Sequence, residues 1–139
     1  MILKPDLSDY QKQFLKDEFA ASCGIILIEA SPGSATVRME VTGKHLNSVG
    51  FLHGGALFTM ADFAFAVASN TREKVALAIH TEISFFKAIR SGVLTANARE
   101  ISLHEKLGTY IVDIFNEKEE LIANFKGTAY RKNEKLEFG

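Results

Sequence analysis

A lone cysteine, Cys23, leaves this 139-residue chain without an internal disulfide and fits a reducing compartment. It lies among Ala20, Ala21, Ser22 and Gly24 and reads as a small packing residue before it reads as a nucleophile. A surplus of one charge is also missing. The 16 Lys and Arg against 17 Asp and Glu give a net charge of -1, which offers no reason to expect nucleic acid or a membrane surface as partner. No apolar run is long enough for a bilayer, which needs about 20 residues. Met1 to Lys12 carries charges and Pro5 where a signal peptide needs an apolar core. The sequence has no Ser-His-Asp elbow, no phosphate loop, no internal repeat and no linker. His45, His80 and His104 lack metal-ligand spacing, so neither a metal nor another cofactor is expected. What remains is a cytoplasmic protein of one domain, 1–139, with 47% hydrophobic residues and enough length for one sizeable core.

Periodicity divides that domain. Asp6 or Ser8 can cap a first helix, with Leu7, Tyr10, Phe14 and Leu15 at helical spacing, inside an N-terminal segment 1–22. Ile25 to Ala30 reads as a strand, Ser31 to Ser34 as a turn. Ala35, Val37, Met39 and Val41 then alternate with Thr36, Arg38 and Glu40, the pattern of a half-buried strand. An irregular loop, 43–52, leads into a helix over about Gly54 to Asn70. After it come only strands: Val75 to Phe86, Gly92 to Ile101, Leu107 to Phe115 and Leu121 to Tyr130. On the first of these, Val75, Leu77, Ile79, Thr81, Ile83 and Phe85 share one face. The charged tail 131–139 is expected to fray. The reading is α+β, an antiparallel sheet wrapped on one central apolar helix, with the last four strands in meander order.

That helix carries the most informative residue. Ala56 to Ala61 and Phe63 to Ala68 are apolar on every side, and Asp62 stands between them. Helices apolar all round are buried, and an ionised acid inside one costs several kcal/mol unless compensated. No Lys or Arg lies between Lys44 and Arg72 to pair with it locally. Asp62 is therefore a functional-site candidate. One small sheet cannot surround such a helix, so a second copy of the chain is expected as cover. The long strand 75–86 contains no proline and can pair edge to edge with its mate.

Eight residues before Asp62 the helix opens on Gly54 and Gly55, preceded by His53 and, six residues further back, Asn47. Asn47, Gly50, His53, Gly54, Gly55 and Asp62, followed by Ala64, Ala66 and Asn70, resemble the acyl-CoA thioesterases of the phenylacetate-degradation type, which have the hotdog fold. The likeness continues with lower specificity through Glu82 to Phe86 and Phe125 to Arg131. It implies hydrolysis of small or medium acyl-CoA at a dimer interface, in a dimer or dimer of dimers. It also implies roles. Gly54 offers its backbone N–H to the thioester carbonyl. Asp62 of the partner subunit serves as nucleophile or general base. Asn47 holds the water or carbonyl, and Thr81, with His80 as neighbour, assists from the long strand.

The physical chemistry agrees. A helix N-terminus presents unpaired N–H groups and partial positive charge to a developing oxyanion. Bare Gly54 and Gly55 let substrate come close. A carboxylate stripped of hydration gains basicity. Along one helix Gly54 and Asp62 lie about 12 Å apart, too far to share one carbonyl. Two antiparallel helices from two chains bring each Asp62 near the other chain's Gly54. Plainer readings stay open. The glycines could be only a tight helix entry, Asn47 a turn residue, and Asp62 a device that fixes dimer register. His53 reads as a loop-positioning group before a general base. Lys87 and Arg90 fit a clamp for CoA phosphates or a solvated basic turn. The rival functions are a non-catalytic acyl-CoA binding or sensing module, and a dehydratase acting on acyl thioesters.

Overall fold

The structure is a computed structural model and describes residues 4–138. Two short helices, α1 (Leu7–Phe14) and α2 (Glu18–Ser22), precede strands β1 (Ile25–Ser31) and β2 (Ser34–Glu40). A 3-10 turn, Gly43–His45, and a loop lead into the long helix α3 (Gly54–Ser69). Strands β3 (Lys74–Phe85), β4 (Val93–Leu103), β5 (Leu107–Phe115) and β6 (Leu121–Lys135) complete the chain. All six strands form one antiparallel sheet in the order β1-β2-β4-β5-β6-β3.

The inner face of the sheet wraps α3. Val37 and Met39 of β2, Leu94 and Ala96 of β4, Val112 and Ile114 of β5, and Ile122 and Phe125 of β6 are fully buried beneath it. The helix answers with Met60, Ala61, Ala64, Phe65, Val67 and Ala68, all buried. Its alanines let backbone approach sheet closely, and Gly127 of β6 makes room for Phe65, whose ring lies 2.9 Å from where a Cβ would stand. At the far end, Asn70 ties the helix to β3. Its amide NH2 donates to the Ala66 and Ala76 carbonyls, and its Oδ1 accepts the Ala76 N–H. No helix of the described residues is long and apolar enough to cross a membrane.

Four expectations need correction. The N-terminal segment is two helices, because Asp17 caps a second one by accepting the Ala20 N–H at 3.0 Å. The last four strands are not a simple meander. Short turns make β4, β5 and β6 neighbours and β2 occupies the other side of β4, so β3 is left to the outer side of β6. Strand β3 does not keep one face along its length. A bulge between Ala78 and His80 resets the alternation, so Leu77 pairs with exposed Tyr130 whereas Thr81, Ile83 and Phe85 pair with buried Gly127, Phe125 and Ala123. The tail from Arg131 continues as β6 to Lys135, and Phe138 packs edge-on against Tyr10 at 5.2 Å.

Candidate active site

The loop before α3 folds on its own side chains. Asn47 Oδ1 accepts the N–H groups of Val49 and Phe51, both at 3.0 Å, which closes the turn that Gly50 needs with its φ of 82°. Asn47 is thus engaged as a turn former through its oxygen, while its amide NH2 has no partner among the described residues. His45 fastens the same loop to α2. Its buried imidazole accepts the Thr42 N–H at Nδ1 (2.9 Å) and donates from Nε2 to the Cys23 carbonyl (2.7 Å). The carbonyl of His45 accepts the His53 N–H at 2.7 Å. Lys44 donates to the Ser22 carbonyl beside it.

His53 is the N-cap of α3. Its Nδ1 accepts the Gly55 N–H at 2.8 Å, and its carbonyl accepts the N–H groups of Ala56 and Leu57. A Cβ on Gly55 would stand 2.9 Å from that Nδ1, so the cap itself requires a bare residue there. In the first turn of α3 only the Gly54 N–H has no acceptor among the described residues. It stands at the positive end of the helix dipole. The ring of Phe85 lies against Gly54, 3.2 Å from where a Cβ would be.

Asp62 is half-buried on α3 and makes no hydrogen bond or ion pair among the described residues. Burial holds its carboxyl above the usual carboxylate range, and the nearby negative charge of Asp17 adds to this. Asp62 therefore keeps the character of a base.

The remaining sequence candidates separate. Thr81 is half-buried on the helix side of β3, opposite Gly127, whereas His80 is exposed on the other side, opposite Thr128. Arg90 stacks over the ring of Phe51 at 4.4 Å, and Ile89 accepts the Leu52 N–H, so this segment lies on the glycine loop. Lys87 points instead to the β5–β6 turn, where it pairs with Glu120. Asn47, His53, Gly54, Gly55 and Arg90 thus gather at the entrance of α3. Asp62, two turns along, and Lys87 do not join them within one chain. Among the described residues no group of His, Cys, Asp and Glu is placed to hold a metal ion.

The thioesterase superfamily pattern matches residues 49–123, from the glycine loop to the sixth strand. The chain belongs to the thioesterase superfamily. It is 36% identical to the acyl-coenzyme A thioesterase PaaI of Escherichia coli over 116 residues, 83% of each chain. The structure of PaaI from the phenylacetic acid degradation operon of that organism superposes with a TM-score of 0.83 at 31% identity, covering 95% of this chain and all of the other. A single-residue variant of the phenylacetic acid degradation protein PaaI of Thermus thermophilus gives 0.80 at 37% identity, covering 84% and 100%. The fold is the hotdog fold, and the enzyme is a thioester hydrolase.

Two residues that lie against the glycine loop have no such place in the sequence reading: His45 is considered only for metal-ligand spacing, and Phe85 only on a strand face and in the stretch Glu82 to Phe86 that resembles the family. A signal for the first was present: Thr42 three residues before His45 is the spacing of a side chain that caps a short turn.

Proposed function

We propose that this thioesterase hydrolyses small to medium acyl-CoA thioesters, as a homodimer in which the exposed edges of β3 pair. The observation that carries this reading is the Gly54 N–H, which alone in the first turn of α3 has no acceptor among the described residues. That donor stabilises the carbonyl oxygen as it gains charge, and one such donor contributes about 3 kcal/mol of barrier lowering. The base comes from the other chain. Asp62 of the partner subunit, with basicity raised by burial, activates a water or attacks the carbonyl carbon, and CoA leaves as thiol.

Pairing across β3 is supported by its position at the sheet edge, its 12 residues, and the exposed Leu77 and Ile79 upon it. It sets two α3 helices side by side and antiparallel. The acyl-CoA class is supported by the 36% identity to the Escherichia coli enzyme of that name. A contact of Arg90 with a CoA phosphate is supported by its position over Phe51 of the glycine loop and by its having no acidic partner among the described residues.

Thiol release from acetyl-, hexanoyl-, lauroyl-, phenylacetyl- and hydroxybenzoyl-CoA tests the reading with wild type and Asp62→Asn side by side. Turnover that disappears in a folded Asp62→Asn protein is expected. A folded wild type that releases no thiol from any of the five would overturn it.

A further inference from the structure

Gly54 is a glycine for a reason that its backbone does not supply. It is the first residue of α3 and has no positive φ, unlike Gly24, Gly33, Gly50 and Gly92. Any residue adopts that conformation. What a side chain would meet is Phe85, with Cζ 3.2 Å and the two Cε atoms 3.5 and 3.6 Å from an added Cβ. The ring of Phe85 lies on the helix side of β3, opposite small, buried Ala123, yet it remains 52% exposed. A large apolar ring pressed on the residue that carries the free N–H, and open on its remaining surface, is a wall with one side unfilled.

From this contact we infer that Phe85 is a positioning residue of the hydrolytic site: its ring walls the Gly54 N–H, shields that hydrogen bond from water and seats the thioester carbonyl on it. The inference rests on the acyl-thioester hydrolysis proposed above. A hydrogen bond beside an apolar ring is stronger than one open to solvent, and charge that develops in the transition state gains most from it. The wall therefore acts on kcat. The CoA moiety binds elsewhere, so KM changes little. The same contact couples the two positions. A methyl group at 54 leaves the N–H in place but displaces the ring.

A double-mutant cycle tests this with Phe85→Ala, Gly54→Ala and the combination, on whichever acyl-CoA the wild type turns over fastest. Each single change is expected to lower kcat about 10-fold with KM within about 3-fold, and the pair to be no more than about 2-fold below the worse single. A purely structural role for Phe85 would move the melting temperature and leave kcat alone. Unchanged kcat in a folded Phe85→Ala protein, or losses that multiply to about 100-fold, would overturn the inference. If Phe85→Ala does not fold, Phe85→Leu replaces it in the cycle with the same coupling expected. A wild type that hydrolyses no thioester removes the hydrolase reading and the wall together, whereas an active wild type without coupling removes only the wall.

Discussion

The imidazole Nδ1 of His53 accepts the backbone N–H of Gly55 at 2.8 Å. The carbonyl of His53 takes the N–H of the next residue, so one side chain and one carbonyl satisfy the turn around Gly54 and leave its own donor free. In the proposed reaction the cap thus selects which N–H the helix offers to substrate.

Replacing that cap tests the selection. His53→Ala should lower stability by about 1 kcal/mol, the ordinary worth of an N-cap, and free the Gly55 N–H to compete for the carbonyl. His53→Asn retains a capping acceptor and should recover most of both stability and turnover. Thermal melts and initial rates on the three proteins read the two effects together.

Asp62 carries an opposite pair of consequences. Because its folded carboxyl sits above the ordinary value, the native state binds more protons than the unfolded chain between those two points. Stability therefore falls as pH rises through that window and stays lower above it. Asp62→Asn should melt higher than wild type near pH 7, and the difference should shrink as pH approaches 4. The log kcat/KM profile of wild type should bend downward on its acid limb above the usual aspartate range, since only the ionised form is a base.

His45 holds three parts at once: Thr42, Cys23 and the backbone of His53. His45→Ala removes the acceptor of the Thr42 N–H and the donor to the Cys23 carbonyl, both in part-buried hydrogen bonds, and should cost about 1–3 kcal/mol. His45→Gln keeps a donor for the Cys23 carbonyl and should recover part of it. Since the loop positions Gly54, the loss in rate should fall on kcat more than on KM.

Lys87 and Arg90 should behave differently although in sequence both fit either a phosphate clamp or a solvated basic turn. Lys87 is already paired with Glu120, so Lys87→Ala should leave KM for acyl-CoA within about 2-fold, as expected of an exposed ion pair. Arg90→Ala removes a cation with no acidic partner among the described residues and should raise KM. Comparing acyl-CoA with the matching acyl-pantetheine, which lacks the nucleotide phosphates, shows whether the Arg90 effect depends on them.

Much of this was legible in the chain. Ala35, Val37 and Met39 alternate because β2 has one solvated face, and they are buried as read. The helix from Gly54 and the isolation of Asp62 follow from apolar residues all round and no local cation. The parts that escaped depend on distant partners. The bulge at Ala78 and His80 leaves no mark in the alternating residues of β3. The role of His45 depends on a carbonyl 22 residues earlier, and that of Phe85 on a glycine 31 residues earlier. The order of the tail depends on β3, which pairs with β6 as far as Lys135, and on Tyr10 near the opposite end of the chain, which meets Phe138. Lys87 and Arg90 look equivalent until Glu120 claims one of them.

The central claim is a site shared between two chains, and subunit complementation reads it directly. Gly54→Pro removes the N–H at a helix position whose backbone accepts proline, with the same Phe85 contact that Gly54→Ala makes and controls for, and Asp62→Asn removes the base. Each variant alone should release thiol at no more than about 1% of the wild-type rate. Mixed dimers formed by co-refolding contain one intact site, made of Gly54 from one chain and Asp62 from the other. Random pairing should restore about a quarter of wild-type activity per mole of chain. A mixture of folded, exchanged dimers that stays inactive would contradict a site built from Gly54 and Asp62 of different subunits.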